Sequence, residues 1–221
     1  MPDTNSPAGN LKLIGGQLCL DFANTVDWHA SDHPREYLTD YADLIAWSQH
    51  TGILSKRKAQ ALLQEASDRR TEADAILNRA RVLREALYHI FVAIAMGKRP
   101  SADDVGQFNR ELSNALPELQ IIESEEGFDW DWQESRKALD QMLWPVARSA
   151  AELLTSEHLN RVRQCADTTD GCGWLFMDTS KNRTRRWCDM KDCGNRAKVR
   201  RYHNRQRRDA GIGKNRTHTL A

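Results

Sequence analysis

The sequence predicts a mainly α protein with minor β structure, in which a helical N-terminal domain with a small hairpin precedes a short ββα module. Two patterns support this prediction. Apolar residues recur at spacings of three and four along most of residues 39–115, as on the buried face of a helix. Near the C-terminus this periodicity gives way to short runs of apolar and aromatic residues among four closely spaced cysteines. The 221 residues are enough for one medium domain and one small one.

The helical domain is expected to span residues 11–157, after a flexible arm formed by residues 1–10. Capping residues, glycines and prolines delimit its helices, and Pro145 is expected to kink or split the last of them. Two short runs separated by a Glu-Glu-Gly turn predict the small hairpin. In chain order the predicted elements are helices over 18–26, 39–51, 55–69, 72–96 and 101–115, hairpin strands over 119–123 and 128–132, and a helix over 133–155.

The net charge of +1 conceals a strong asymmetry between the two parts of the chain. Residues 161–221 hold 16 Lys and Arg against 6 Asp and Glu, a net charge of +10. Residues 1–160 therefore hold 16 basic and 25 acidic residues, a net charge of −9. Such an asymmetry indicates a basic module for a polyanion, carried on an acidic domain.

The motifs that the sequence lacks exclude several classes of protein. It contains no run of about 18 apolar residues and no apolar signal-peptide core at its start, so we expect a cytoplasmic protein with no membrane partner. It also lacks the nucleophile-elbow, phosphate-loop and dinucleotide motifs, and we do not expect an enzyme. In an intracellular chain, the odd number of five cysteines indicates metal binding plus one buried thiol, Cys19, rather than disulfides.

Four cysteines in the last quarter of the chain have the spacing of metal ligands. Six residues separate Cys165 from Cys172, and four separate Cys188 from Cys193. Four thiolates satisfy a tetrahedral Zn²⁺ ion and leave no open position, so the predicted zinc site is structural rather than catalytic. An iron–sulfur cluster also takes four thiolates, but zinc is the commoner occupant of paired knuckles of this kind.

The sequence around these cysteines predicts a treble-clef-like ββα zinc finger over residues 158–209. Gly173 and Gly194 each follow a ligand cysteine, as in a zinc knuckle, where a tight backbone can point N–H groups at the sulfur. Metal binding would also compensate for the small apolar core of so short a module. In chain order the expected elements are a strand over 158–164, a hairpin formed by 174–178 and 183–187, a helix over 195–209 and a basic flexible tail over 210–221.

Two stretches of the sequence resemble known families. The tetrapeptide Cys-Gly-Asn-Arg at 193–196 is the signature of the CGNR zinc finger family, and the surrounding module is similar to that family throughout. Residues 15–26 resemble the opening of the ABATE domain, which accompanies CGNR fingers in bacteria. The resemblance implies a zinc-containing, stress-linked bacterial transcription regulator.

The predicted helix over 195–209 carries a dense set of basic and amide side chains. Arginine and lysine contact phosphates and release counterions, while arginine also binds guanine edges and amides bind adenine edges. A helix held by a zinc knuckle suits the major groove of DNA. Ala197, Val199 and Tyr202 are expected to pack on the hairpin. The candidate nucleic-acid-binding residues are Asn195, Arg196, Lys198, Arg200, Arg201, Asn204, Arg205 and Arg208.

The sequence is also consistent with two alternatives to DNA as the partner of this basic helix. In a protein-interaction module, the helix would dock on an acidic surface, for which the N-terminal domain is one candidate. In an RNA-binding module, Trp174, Phe176 or Trp187 would stack on bases, although such aromatic residues more often form the core of a hairpin. An exposed helix favours nucleic acid, whereas a buried helix favours docking on protein.

The N-terminal domain is the candidate sensor. Asp21 and Asn24 lie one helical turn apart and, together with Trp28, would line a pocket for a small-molecule effector. The simpler alternative is helix capping and a buried polar pair. Homodimerisation would suit a regulator that binds symmetric DNA sites, but no heptad pattern marks a dimer interface.

Overall fold

A computed structural model describes residues 6–133, 138–167 and 171–214, with side chains described as far as residue 207. Over these residues the chain is mainly helical, and its strands form three two-stranded antiparallel sheets. None of the helices in the described ranges is both long enough and apolar enough to cross a membrane. The mainly α class with minor β structure is therefore confirmed.

The elements follow one another in an order close to the predicted one. Short 3₁₀ turns precede the first helix and interrupt two of the connections, and a π-helical turn precedes the last helix. The helices and strands are α1 (Leu18–Ala23), β1 (Val26–Asp27), β2 (Arg35–Glu36), α2 (Tyr41–His50), α3 (Lys56–Asp68), α4 (Arg70–Ala95), α5 (Ala102–Ala115), β3 (Leu119–Ser124), β4 (Gly127–Trp132), α6 (Leu143–Leu154), β5 (Val162–Gln164), β6 (Leu175–Met177) and α7 (Asn195–Lys214).

Local capping explains where the middle helices begin. The side chains of Asp40, Ser55 and Ser101 each accept a hydrogen bond from the backbone N–H three residues later, at 2.9 to 3.2 Å. These bonds satisfy N–H groups that have no partner within the helix. The starts of α2, α3 and α5 therefore lie within two residues of their predicted positions.

The main core forms around α4, which has 26 residues and is about 39 Å long. Its side chains Leu83, Leu87 and Phe91 are fully buried, and α1, α2, α5 and α6 belong to the same apolar cluster. Val162 of β5 and Met177 of β6 belong to it as well. The β5–β6 hairpin is thus built into the core of the helical domain.

Strand β6 separates this main core from a second, smaller one. Because side chains alternate along a strand, Leu175 and Met177 face the main core, whereas Trp174 and Phe176 face the four cysteines. The two parts of the chain therefore share one strand, which explains why no linker composition marks the predicted boundary between residues 157 and 158.

The N-terminal arm is not flexible over the residues that the structure describes. Pro7–Asn10 form a 3₁₀ turn that packs on α2, and Ala8 is fully buried. The Ser6 hydroxyl donates a hydrogen bond to Asp43 at 2.6 Å. The predicted arm is wrong from Ser6 onwards, and residues 1–5 lie outside the described residues.

The predicted helix over 133–155 is too long. Helix α6 begins only at Leu143, so Pro145 lies in its first turn. In that turn the missing N–H of proline has no intrahelical partner to lose, so proline is tolerated there and does not split the helix. Residues 134–137 lie outside the described residues.

The pairing predicted within the zinc module is also wrong. Strand β6 pairs with β5, with Arg163 opposite Phe176, and residues 183–187 lie in no strand. The buried Asp178 carboxylate accepts hydrogen bonds from the backbone N–H groups of Ser180 and Arg185 at 2.9 and 3.1 Å. That turn carries the chain away from β6, but the ββα order of the predicted fold stands.

Helix α7 is longer than predicted. It continues to Lys214 rather than ending at Asp209, since no proline stops it and glycine is tolerated in a helix at a cost of about 1 kcal/mol. The first five residues of the predicted tail are thus helical, and residues 215–221 lie outside the described residues.

Candidate metal centre and basic helix

The fold brings the four predicted ligand cysteines together. Cys165, Cys172, Cys188 and Cys193 are each 2 to 4% exposed, and their sulfur atoms all lie within 4.8 Å of one another. The Cys172–Cys188 and Cys188–Cys193 sulfur distances are both 3.6 Å. A tetrahedral zinc ion with Zn–S bonds of about 2.3 Å requires sulfur–sulfur edges of about 3.8 Å, whereas a disulfide requires about 2.05 Å. The cluster therefore fits a zinc ion held by four thiolates.

Two glycines allow the segments that carry the cysteines to pack closely against neighbouring atoms. Gly173 has a φ of +70°, and a Cβ atom there would lie 2.7 Å from the Tyr88 hydroxyl and 2.9 Å from the backbone of Ala30. Gly194 lies in the π-helical turn Met190–Gly194, where a Cβ atom would lie 3.0 Å from a methionine sulfur. The first glycine is needed for both conformation and space, and the second for space.

The crowded sulfur atoms have strongly perturbed acidities. Hydrogen bonding with Cys172 lowers the pKa of Cys165, while hydrogen bonding with Cys165 raises the pKa of Cys188. The Cys188 N–H also donates to the Cys165 sulfur at 3.5 Å, and the Arg196 guanidinium donates to the Cys193 sulfur at 3.1 Å. Such donors stabilise thiolate charge around a metal. A bound zinc ion would take the place of the remaining thiol protons and release them.

Strand β6 is fastened to α1 and its flanking segments by buried polar contacts. The Asn24 side chain accepts from the Leu175 N–H and donates to the Leu175 carbonyl, both at 2.8 Å. The Gly15 N–H donates to the Asp21 carboxylate at 2.7 Å, and the Gly15 carbonyl accepts from the Met177 N–H at 2.8 Å. Asp21 and Asn24 thus bracket β6 from the helical domain.

Comparison with known families accounts for both parts of the chain. A family model named ABATE, described as "putative stress-induced transcription regulator", matches residues 16–157, which is well over half of the chain. This chain belongs to the ABATE family. A second model, the CGNR zinc finger, matches residues 161–206. Both families are of regulatory or zinc-finger type rather than enzymes. No curated protein matches the chain.

The basic helix of the CGNR finger begins with an anchored face. The carboxylate of Asp167, whose side chain is fully buried, accepts hydrogen bonds from Arg196, at 3.3 Å, and from Arg200. The Asn195 amide donates to the Lys191 carbonyl at 3.0 Å. Three of the predicted nucleic-acid-binding residues therefore hold α7 in place. Sequence reasoning missed Asp167, although an acidic residue two positions after a ligand cysteine in a basic module was a usable signal.

The opposite face of α7 is open. Lys198, Arg201 and Arg205 lie on it and are exposed, and Arg207, beyond the anchored turns, is exposed as well. None of these four side chains forms an ion pair with any described acidic residue. Asn204 is exposed as well, and the side chain of Arg208 lies outside the described residues.

The apolar residues of α7 do not pack as predicted. Val199 and Tyr202 are 54% and 61% exposed, so the expectation that they pack on a hairpin is wrong. Of the three residues predicted to pack there, only Ala197 is half-buried. Residues 201–207 are all exposed, so this part of α7 does not lie buried against the acidic ABATE domain of its own chain.

A cavity of about 350 Å³ lies at the seam where the ABATE domain meets the finger, and it borders the metal centre, because Cys172, Cys188 and Cys193 are among the residues that line it. Of the three predicted pocket residues, Trp28 lines it, whereas the side chains of Asp21 and Asn24 bond to the backbone of residues 15 and 175. Across this seam Lys12, which precedes α1, forms an ion pair with Asp189 of the finger at 3.1 Å. The cavity therefore belongs to both parts of the molecule.

Proposed function

We propose that this protein is a zinc-containing transcription regulator that binds duplex DNA through the outward face of α7. The observation that carries the proposal is the division of the α7 cations into an anchored pair and an unpaired set. Arg196 and Arg200 are held by Asp167, whereas Lys198, Arg201 and Arg205 are exposed. The anchored pair fixes the helix and leaves the exposed set free for a polyanion.

Helical geometry places the unpaired set on one side. Lys198, Arg201 and Arg205 are related by steps of three and four residues, so their side chains lie along one face, nearly opposite Arg196 and Arg200. The 20 residues of α7 span about 30 Å. A helix of about 10–12 Å diameter fits the major groove, which is about 12 Å wide. Arg201 and Arg205 would contact phosphates or guanine edges, and Lys198 would contact phosphates.

The zinc ion would contribute by orientation. When bound, it joins the ends of β5 and β6 to the turn that starts α7, so the helix leaves the domain in one direction. Pre-orientation reduces the entropy that a binding element loses when it docks. The metal site and the Asp167 anchor thus serve the same helix from two sides.

RNA binding through stacked aromatic residues has less support. Trp174 and Phe176 are 8% and 0% exposed, because they pack around the cysteines. The Trp174 indole also donates to the Val26 carbonyl at 2.9 Å. Base stacking needs an accessible ring face, so these two side chains are not available for it, and of the three predicted aromatic residues only the half-buried Trp187 is left.

A gel-shift series with duplex DNA over a range of salt tests the proposal. We expect Arg205→Ala to weaken binding about 5- to 10-fold near ~50 mM salt and to reduce the salt slope by about 1, because one phosphate contact is lost. Arg57→Ala, at an exposed position on α3, is the matched control and should leave both quantities unchanged. Arg200→Ala should also weaken binding, but with a loss of order in α7 that Arg205→Ala does not cause.

Two results would contradict DNA binding by α7. One is an affinity that does not fall with salt, because phosphate contacts by cations always carry that signature. The other is an equal effect of Arg57→Ala and Arg205→Ala, which would indicate attraction by overall charge alone. An RNA competitor of matched length, added to the same assay, distinguishes the two nucleic acids.

We also propose that the seam cavity is the sensor site of the ABATE domain. Small-molecule pockets commonly have volumes of about 300–1,000 Å³ and lie between domains, and this cavity has aromatic walls that include Trp28, Tyr37 and Trp174. Arg196, at the start of α7, lines it as well, so an occupant would contact the output helix directly. The gel-shift assay repeated with trial effectors tests this coupling.

A further inference from the structure

The β3–β4 hairpin projects from the ABATE domain with an apolar face that is largely uncovered beyond its base. In its register Ile121 lies opposite Trp130, and Glu123 opposite Phe128, and residues that pair in this way share a face of the sheet. Phe128 is 78% exposed, Trp130 57% and Ile121 53%. An isolated two-stranded hairpin is only marginally stable in water, and an exposed apolar patch commonly marks an interaction site.

The base of this hairpin is fixed, so its outer half is presented in a defined direction. The Trp132 ring lies 5.9 Å from the Trp144 ring of α6, between centroids. The Arg148 guanidinium lies 5.4 Å from the Trp130 ring centroid. The second contact shows the kind of partner that this face accepts, because an arginine over an aromatic ring is attracted by the ring's negative face.

The charge of the hairpin points to a cationic partner. Residues 119–132 contain five acidic residues and no lysine or arginine. Among them Glu123 lies on the apolar face, and Glu125 and Glu126 form the turn. The surface therefore combines exposed aromatic rings with carboxylates, a combination that complements a helix carrying arginines and apolar side chains.

This chain itself carries such a helix. The outward face of α7 combines Lys198, Arg201 and Arg205 with the exposed ring of Tyr202. Within one chain both surfaces are exposed, and α7 is held at its start by two cysteines and the Asp167 anchor. The complementary surfaces can therefore meet between copies without either one moving.

We propose that two copies of this chain form a reciprocal dimer in which the β3–β4 hairpin of each covers α7 of the other. A two-fold axis repeats the contact, so both hairpins and both helices are covered. The self-association stands independently of nucleic acid. Its regulatory consequence rests on the proposed function, because the hairpin then occupies the face that DNA would bind, and the two compete for α7.

Sedimentation velocity without DNA is the first test. We expect a dimer at ~50 mM salt and dissociation towards monomer at ~500 mM, because the contact depends on charges that salt screens. A wild-type chain that stays monomeric at low salt would overturn the proposal.

Charge reversal in pairs is the decisive test. Arg201→Glu/Arg205→Glu reverses the helix face, and Glu123→Lys/Glu126→Lys reverses the hairpin. Each variant alone should be monomeric, because like charges meet at both contacts. An equimolar mixture should recover a dimer, because each reversed surface then meets its complement. Recovery in the mixture also excludes misfolding as the cause of dissociation.

The control reverses charge elsewhere. Lys56→Glu/Arg57→Glu, on the exposed start of α3, changes the net charge as much as the helix variant does and should leave the dimer intact. A dimer that survives both reversals uses another interface and sinks the proposal, as does a mixture that stays monomeric. Loss of DNA binding alone would overturn only the proposed function, since the self-association is measured without DNA.

Discussion

The two arms of the CGNR finger contribute two cysteines each to the same cluster, but different interactions hold them in place. The hairpin arm, Val162–Met177, has three apolar side chains, Val162, Leu175 and Met177, in the main core of the ABATE domain. The helix arm, Cys188–Arg207, contacts the rest of the molecule through two cysteines and a few ion pairs, and its last seven residues are all exposed. A bound metal would therefore join a helix that has almost no core of its own to the hairpin arm, which is a platform that the ABATE core already holds.

Removing the metal should therefore separate the two arms. After chelation, or in Cys188→Ser, we expect amide exchange in residues 195–207 to accelerate about 100-fold or more, because structural zinc contributes about 10–16 kcal/mol in small fingers. Exchange at β5 and β6 should change far less, since their hydrogen bonds are covered by the ABATE core. Hydrogen-exchange mass spectrometry of the full chain measures both segments at once.

Two results would break this comparison. Equal deprotection of both arms would show that the hairpin also depends on zinc. No change in either arm would show that the cysteines do not need a metal, and the zinc assignment would then fail. Circular dichroism of the same samples should show a small loss of helical signal, because α7 loses its structure while the helices of the ABATE domain keep theirs.

The platform itself should depend on one buried amide. Asn24→Ala removes both hydrogen bonds to Leu175 and leaves a buried N–H and a buried carbonyl without partners. Each such group costs about 1–3 kcal/mol, so the free energy of unfolding should fall by about 2–6 kcal/mol. Urea denaturation measures this, and Asn204→Ala, at an exposed amide on α7, should change it by less than about 0.5 kcal/mol. Equal effects would show that Asn24 does not hold β6.

Local chemistry made part of this molecule predictable. The four cysteines, the serine caps of α3 and α5 and the 119–132 hairpin each depend on spacing or on residues close in sequence. The same holds for the existence of a basic helix after Cys193. At these places a short window of sequence contains all the interacting groups, so pattern and structure agree.

Partners that are distant in sequence could not be predicted. Leu175 pairs with Gln164 rather than with residues 183–187, and in this pairing Val162, Leu175 and Met177 join the main core. Asn24 lies 151 residues from the backbone groups that it satisfies. Arg200 is a residue type that commonly contacts DNA, but here it anchors α7, because its guanidinium pairs with the buried Asp167 carboxylate. The composition of the sequence shows that α7 is basic, but the structure is needed to separate its anchored face from its exposed face.

The smallest effect concerns Asp21, which couples pH to the hairpin arm through Gly15 and Met177. Burial raises the pKa of Asp21 from 3.8 to about 6, against the opposing hydrogen bond from the Gly15 N–H. The folded state therefore binds this proton more tightly than the unfolded state between about pH 4 and pH 6. The free energy of unfolding should fall across that window as pH rises, by at most about 3 kcal/mol, and the cost should persist above it.

Asp21→Asn isolates this contribution, because the amide keeps a carbonyl acceptor for the Gly15 N–H and does not titrate. The stability of the variant relative to the wild type should increase between pH 4 and 6 and stay constant above that window. Urea denaturation at fixed excess zinc measures the difference at each pH. Acid also competes with the metal for the thiolates, but that effect acts on both proteins and cancels in the difference. Parallel pH profiles would show that Asp21 ionises as freely in the folded chain as in the unfolded one, and that burial of its carboxylate does not strain the platform.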